Sequence, residues 1–346
     1  MADGTKIEWA DATVNYVNGC SLASPGCTNC YAMRLAGTRL KHHPTRAGLT
    51  QDTKAGPVWT GEVRENPAAL EQALRWKKPR AIFWNAHGDL FHENVPDEWI
   101  DKQFAAMALT PQHRHMVLTK RSARMREYFA RNTEQMWTEQ DPWVRITRWM
   151  EEFDFSITDH SWRLPLPNVW LGVSVEDQRR ADERIPDLLE TPATIRFISA
   201  EPLLGPVDLE HIEYYPGFLK NALTGKEQGG HCPDGPGLDW VIVGGESGPN
   251  ARPMHPDWAR SLRDQCADAG VPFLFKQWGN WHPSRDHDDV GCSASPPAIH
   301  VSGRFETRPT EVLELLLEPG WEPVCLLGKK RAGRLLDGIQ HDGVPA

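Results

Sequence analysis

Long hydrophobic runs are missing from this sequence. No uncharged stretch approaches the ~18 apolar residues that a membrane-spanning helix needs, so no membrane span is expected. An apolar leader is missing too: the first ten residues, MADGTKIEWA, hold no hydrophobic targeting segment, and no signal peptide is expected. Positive charge is in deficit, with 38 Lys and Arg against 47 Asp and Glu and a net charge of −9. That balance excludes a nonspecific nucleic-acid binder working through a global basic field. Three short basic clusters remain, RWKKPR at Arg75–Arg80, KRSARMR at Lys120–Arg126 and GKKRAGR at Gly328–Arg334. They read first as solvated surface and second as parts of a local groove. Cysteine is scarce, seven in 346 residues, which argues against a disulfide framework. Cys232, Cys266, Cys292 and Cys325 are scattered and read as ordinary thiols. No Gly-x-Gly-x-x-Gly follows the first strand-like run, and no repeat at solenoid periods is present. These absences leave a soluble, cytoplasmic protein as the expectation.

What is there is an alternation. Apolar runs rich in β-formers recur at Thr13–Val17, Ala81–Asn85, His115–Thr119, Val169–Val175, Ile195–Ala200, Trp240–Gly245 and Pro272–Lys276. Their nearly continuous hydrophobicity is that of strands covered on both faces. Helical patterns lie between them. PDEWIDKQFAAMALT opens with Pro96 and an acidic first turn, EDQRRADERIPDLLE follows the fourth run, and HPDWARSLRDQCADAG ends on Gly270, a residue suited to a left-handed helix stop. Repeated strand–helix units predict an α/β fold with a parallel sheet. Seven strands over about 270 residues fit a complete or partial (β/α) barrel of TIM type. The barrel is expected over residues 1–280, with insertions near 130–167 (four tryptophans, a helical lid) and 211–238 (a glycine-rich loop). Residues 281–346 read as a linker and a C-terminal extension.

Polar residues crowd just after the strand ends: NAHGDLFHE after the second, KR after the third, VED, EP, GGESG and QWG after the next four. In a parallel barrel these ends share one rim, where active sites are assembled. The stretch NGCSLASPGCTNCYA, starting at Asn18, directly follows the first strand and lands on that rim. Cys20, Cys27 and Cys30 fall within eleven residues, and the next cysteine is Cys232. Three thiolates are one short of a closed structural zinc site and suit a centre with one open position. The Cys-x2-Cys turn sets two sulfurs on one side of a loop, and Pro25 and Gly26 permit the reversal that returns Cys20 to them. Backbone N–H groups in such a loop can stabilise the sulfur charge. Zinc would need a fourth ligand, and the adjacent His42 and His43 do not have finger spacing. A [4Fe–4S] cluster takes one thiolate per iron, so three cysteines leave one iron open. The cluster is the first reading, with zinc and unmetallated thiols as alternatives. An open iron suits a cofactor bearing amino and carboxylate groups. S-adenosylmethionine has both, and its reductive cleavage to a carbon radical is the cofactor's own chemistry.

Gly244 and Gly245 allow close backbone approach to such a cofactor, and Glu246 can accept from an ammonium or from ribose hydroxyls. A plain strand-to-loop turn reads equally well. Ser174, Glu176 and Glu201 are further cofactor candidates, with helix capping as their other reading. Asn85, His87, Asp89, His92 and Glu93 form the densest polar loop. Asn85, His87, Glu93 and Lys120 are expected to bind substrate, and His92, Asp89 and Lys276 to act on it; a hydrogen-bonded loop plugged by Phe91 is the alternative. Lys120, Arg121 and Lys276 suit an anionic group, or are solvated strand ends. Trp84, Trp278 and Trp281 could stack on a base, although most of the fifteen tryptophans are expected to be packing.

At NGCSLASPGCTNCYA, NAHGDLFHENVP, LGVSVEDQ, FISAEPLLGP, VIVGGESGPNARPMHPDW, PFLFKQWG and the closing GKKRAGRLLDG, the sequence resembles the radical-SAM-like three-cysteine phage and bacterial protein family. The resemblance runs from about Ile7 to Gly338. It implies a radical-SAM-type barrel, a cluster on Cys20, Cys27 and Cys30, S-adenosylmethionine as partner and a reducing electron donor. Likeness to spore-photoproduct-lyase-type enzymes implies a nucleic-acid base or nucleotide as substrate. The spacing is Cys-x6-Cys-x2-Cys where radical SAM enzymes usually have Cys-x3-Cys-x2-Cys, and Gly-Gly-Glu follows the sixth strand rather than the second. Two rival readings stand beside the enzyme: a non-enzymatic nucleic-acid or partner-binding protein with a structural metal site, and a zinc hydrolase with water in the open position.

Overall fold

The computed structural model describes residues 2–131, 138–154, 156, 163–229, 234–284, 296–308, 312, 314–316 and 318–346. Cys232, Cys292 and parts of the expected insertions and linker lie outside the described residues. Eight strands follow one another in chain order: β1 (Ala2–Asp3), β2 (Ala12–Val14), β3 (Ala81–Trp84), β4 (Arg114–Thr119), β5 (Val169–Ser174), β6 (Ile195–Ala200), β7 (Trp240–Gly244) and β8 (Phe273–Gln277). Among the described residues the helices of seven residues or more are α1 (Tyr31–Gly37), α2 (Pro67–Arg75), α3 (Asp97–Ala108), α4 (Ser122–Ala130), α5 (Pro142–Phe153), α6 (Gln178–Glu190) and α7 (Pro256–Ala269). The fold is mixed α/β with seven parallel strands, each at or within a few residues of a run expected from the sequence. The short β1 lies antiparallel to β2 at the sheet edge, so the arrangement is open and not a complete barrel.

The chain forms two compact units, the first Met1–Val173 with Asp187–Arg196, the second Ser174–Pro186 with Phe197–Ala346. In the first, β2 to β5 pair in parallel, with Thr13 opposite Phe83, Phe83 opposite Met116 and Met116 opposite Trp170. All residues of β2 and β5 are buried, as their unbroken hydrophobicity requires. Helix α3 buries Ile100, Phe104 and Met107, and it packs on α5, which buries Trp143, Ile146 and Met150. Each such side chain contributes about 1.5–3 kcal/mol of burial. Asp141 caps α5 by accepting from Trp143 N at 2.8 Å, with Pro142 at the first helical position.

One polar chain crosses this core. Trp84 Nε1 donates to His115 Nδ1 at 3.0 Å, and His115 Nε2 meets Thr110 Oγ1 at 3.0 Å. The Thr110 hydroxyl donates onward to Ala106 O at 2.7 Å. His115 is therefore a neutral imidazole with its proton on Nε2. Trp84 is 1% exposed, a core residue with no face for a base.

In the second unit, β6, β7 and β8 are parallel, with Ser199 opposite Ile242 and Val243 opposite Phe275. Every residue of β7 is buried. Helix α7 ends on Gly270 at φ 70°, the left-handed stop its sequence called for. Trp278 is 1% exposed and donates to Leu335 O, so it too is packing. Strands Trp281–Pro283, Trp321–Leu326, Ala298–His300 and Phe305–Glu306 form a small antiparallel sheet in that order. Cys325, on the second of these, is disulfide-bonded and not the ordinary thiol expected. Among the described residues no helix is long and apolar enough to cross a membrane.

Burial holds the His115 imidazole down to about 3, whereas it titrates near 6.5 when solvated. The unfolded chain therefore takes up a proton that the folded chain refuses. This cost is absent above about pH 6.5 and grows by ~1.4 kcal/mol per pH unit as pH falls towards 3. Urea unfolding at pH 7, 6 and 5 should show a shallower loss of stability on acidification for His115→Gln than for the wild type. Equal slopes would mean that His115 is not a neutral core group.

Candidate functional site

After β2 the chain passes through Asn15–Asn18 and reaches Gly19, which has φ 94°. Gly19 N donates to His87 O at 3.0 Å, Gly19 and Gly88 form a parallel bridge, and Gly88 N donates to Asn85 O at 2.9 Å. A Cβ at Gly19 would lie 2.2 Å from Glu62 O, and one at Gly88 would lie 2.6 Å from Val17 O. Both places admit only glycine without displacement of backbone. Asn85 stands in the left-handed region (φ 56°), which asparagine tolerates. Its Oδ1 accepts from Val17 N at 2.9 Å and its Nδ2 donates to Gln103 Oε1 at 2.7 Å. Asn15 Oδ1 accepts from His87 N at 3.0 Å. Asn85 thus ties the loop after β2 to the loop after β3.

The thiol loop is built from short local bonds. Pro25–Cys27 is a 3₁₀ turn with Cys27 N bonded to Ser24 O at 2.9 Å, and Cys30 N returns to Cys27 O at 3.3 Å. Ala23 N donates to Cys27 Sγ at 3.5 Å. Cys30 precedes α1, and the backbone N–H groups of Met33 and Ala32 bond to its thiol. Ala32, Met33 and Ala36 of α1 pack with Leu49 and Trp59, and Cys20 and Cys30 close over that cluster.

The three thiols lie within electrostatic reach of one another. Burial, then Asp89, push Cys20 up to about 12; Cys27 and Cys30 add to the rise, and Arg121 opposes it. Burial likewise raises Cys30, with Cys27 adding and the Lys120 ammonium opposing. Without a bound cation these two sulfurs keep their protons. Among the described residues, no group of three or more His, Cys, Asp or Glu side chains stands ready to hold a metal ion. The donor set is of the soft kind that iron–sulfur clusters take: three thiols within electrostatic reach of one another, a lysine and an arginine acting on them, and backbone N–H groups on two of the sulfurs.

Arg121 and Asp89 frame the loop. Asp89 accepts from Thr119 Oγ1 at 2.6 Å, Phe91 N at 3.0 Å and Lys120 N at 3.0 Å. Arg121 reaches Cys20 Sγ at 3.4 Å, Asp89 Oδ2 at 3.3 Å, Ser21 O at 2.9 Å and Ser21 Oγ at 2.8 Å. Ser21 Oγ in turn donates to Glu93 Oε1 at 2.8 Å and accepts from His92 Nε2 at 2.9 Å. His92 Nδ1 accepts from Asn94 N at 3.1 Å, so the ring is neutral with its proton on Nε2. Burial is the main cause that lowers its pKa. His87 is held at about 4 by burial and by Arg46, whose Nη2 lies 2.6 Å from its Nδ1. Phe91 is buried against Tyr128 and Phe129.

The expected cofactor residues belong to the second unit, with Ser174 the last residue of β5 and Glu176 just after it. Glu176 is fully buried and bonded to Arg184 Nη1 at 2.9 Å, while the same nitrogen holds Ser174 O at 2.7 Å. Glu246 accepts from Arg252 N, Nε and Nη2 at 2.8, 2.9 and 2.7 Å. Glu201 pairs with Lys276, Nζ lying 3.1 Å from Oε1, and also accepts from Ser199 Oγ at 3.3 Å. A Cβ at Gly244 would meet Glu201 Oε1 at 2.4 Å, and one at Gly245 would meet Trp278 O at 2.0 Å, so both glycines serve close packing at the strand ends. Trp281 donates to Ala251 O and meets Phe305 edge-on.

A cleft of about 940 Å³ in the first unit is bordered by Asp97, Asp101, Arg131, Arg145, Arg148 and Trp149, and shares no residue with the thiol loop. Arg145 lies 2.8 Å from Asp101, and Arg148 lies 3.0 Å from Glu139. Sequence reasoning passed over Ser21, whose signal was its place directly after Cys20. It offered Arg121 as a cation for an anionic group or as a solvated strand end, and nothing in the sequence pairs it with Cys20, 101 positions away.

Fold and site define a mixed α/β protein that carries a three-thiol loop at the ends of parallel strands. A family profile described as Protein of unknown function (DUF5131) matches residues 4–345, and the chain belongs to that family. Comparison with curated proteins and with solved structures returned no match.

Gly88→Ala should force the Val17 carbonyl away and loosen the thiol loop, at a cost of about 1–3 kcal/mol. Urea unfolding and the rate of Cys20, Cys27 and Cys30 labelling under native conditions read both effects. A variant with wild-type stability and labelling would show that the glycine bridge does not hold the loop.

Proposed function

We propose that this chain is a [4Fe–4S]-binding, radical S-adenosylmethionine-type enzyme on a partial (β/α) barrel of TIM type, acting on a nucleic-acid base or nucleotide. The observation that carries the reading is the placement of three cysteine thiols, within electrostatic reach of one another, on the loop after a parallel strand, with an arginine bonded to one sulfur and a lysine acting on another. Cys20, Cys27 and Cys30 would hold three irons, leaving the fourth for S-adenosylmethionine. When bound, the cluster supplies one-electron reduction of that cofactor.

The chain's own residues have separable tasks. Asp89 orients the Thr119–Arg121 turn, and Arg121 holds the Cys20–Ser21 arm. His92, neutral and buried, braces Ser21 and, with Asn85, keeps the polar loop rigid. In the second unit, Glu201 and Lys276 are the pair best suited to a ligand's amino and carboxylate groups, because each retains partial exposure, 13% and 18%. Glu176 and Glu246 are engaged by Arg184 and Arg252, which suits them to shaping a pocket. A cytoplasmic location belongs to this proposal.

Anaerobic purification, iron and sulfide counting, and electron paramagnetic resonance of the reduced protein test the reading. About four irons per chain, with a signal that changes on adding S-adenosylmethionine, is the expected result. Cys27→Ala should then lose the iron, and a Cys27→Ala chain with full iron would sink the assignment. One zinc and no iron would favour a structural or hydrolytic metal site in its place.

A further inference from the structure

We propose that Arg121 is the positioning residue of the three-cysteine centre: its forked guanidinium holds the Cys20 sulfur and Ser21 together, so that this arm of the loop presents its thiolate to the cluster. The inference rests on the cluster reading above and adds what builds the centre.

The distances decide between this role and an ordinary ion pair. Asp89 satisfies itself through shorter bonds, 2.6 Å to Thr119 Oγ1 and 3.0 Å to two backbone N–H groups, while its contact with Arg121 is 3.3 Å. The shortest bonds of Arg121 run instead to Ser21, at 2.8 and 2.9 Å. One nitrogen of the fork binds both oxygens of Ser21 while the other binds the neighbouring sulfur at 3.4 Å. Only a planar fork makes these contacts at once; a lysine ammonium is a single point. The side chain is 12% exposed, which removes the solvated strand end as an account of it. Ser21 Oγ has no capacity left: it accepts from Arg121 and His92 and donates to Glu93. The arm carrying Cys20 is thus held from three sides, and the cation stands on the sulfur itself. A donor and positive charge at a cluster thiolate favour the more negative, reduced state, and so raise the reduction potential.

The test compares the wild type with Arg121→Lys and Arg121→Gln, each reconstituted anaerobically and each with its melting temperature recorded. Both variants should release iron to a chelator about tenfold faster, the lower end for loss of a ligand-orienting partner. Arg121→Gln should also shift the cluster's midpoint potential to a more negative value, a readout that a merely structural role would leave unmoved. In the metal-free chains, amide exchange over residues 19–24 should quicken in both variants. Wild-type iron release and potential in both would overturn the proposal, and wild-type iron release in Arg121→Lys alone would reduce Arg121 to its charge and overturn the positioning role. Should the wild type itself bind no iron, the cluster reading fails, and unchanged exchange over residues 19–24 would then overturn the positioning role as well.

Discussion

The thiol loop depends on one close approach of backbone to backbone, Gly19 against Gly88. A side chain at Gly19 would press on the Glu62 carbonyl at 2.2 Å, and one at Gly88 would press on the Val17 carbonyl at 2.6 Å, so neither place has room for a Cβ. The bridge joins the loops after β2 and β3 into one piece, which carries the three cysteines, Ser21, Asp89, His92 and Glu93, while Thr119, Lys120 and Arg121 reach it from the end of β4. Asn85 supplies the second fastening. It occupies a left-handed backbone position and spends both ends of its amide on neighbours, Val17 and Gln103.

On that frame, electrostatics sets what the sulfurs can be. Burial is the main cause that raises Cys20 and Cys30, with Asp89 adding at Cys20 and Cys27 at both. Arg121 and Lys120 work against burial, and a multiply charged metal centre would complete the reversal, since thiolates are its natural ligands. The network beside them is saturated: each polar atom of Ser21, His92 and Asp89 described above has a partner. Breaking a buried pair of this kind costs about 3–5 kcal/mol because the remaining charge is stranded, whereas an exposed pair such as Lys41 with Asp52 contributes under about 1 kcal/mol. The same logic divides the acids of the second unit. Glu176 and Glu246 are tied to arginines, and Glu201 with Lys276 keeps some contact with solvent.

How much of this was legible can be judged from particular elements. The runs Ile195–Ala200 and Val169–Val175 became β6 and β5 almost residue for residue, because parallel strands buried on both faces admit little but apolar side chains. Gly270 was readable as a helix stop because its conformation is a local property. Trp84 and Trp278 were misjudged as possible stacking surfaces; their position near strand ends said nothing about which way the rings turn, and both are inside. The side chain of Asn85, expected to face substrate, bonds Val17 of the loop after β2 and Gln103 of α3, partners that no spacing discloses.

Order along the chain therefore determined the alternation of strands and helices, the gathering of polar residues after strand ends, and three cysteines on one loop. These follow from local periodicity and from covalent distance, which act within about ten to fifteen residues. Tertiary structure alone decided that Arg121 stands on Cys20 and that Glu201 meets Lys276 across 75 positions. Such contacts depend on how strands stack side by side, and stacking is settled by the summed burial of the whole core, which no short segment records.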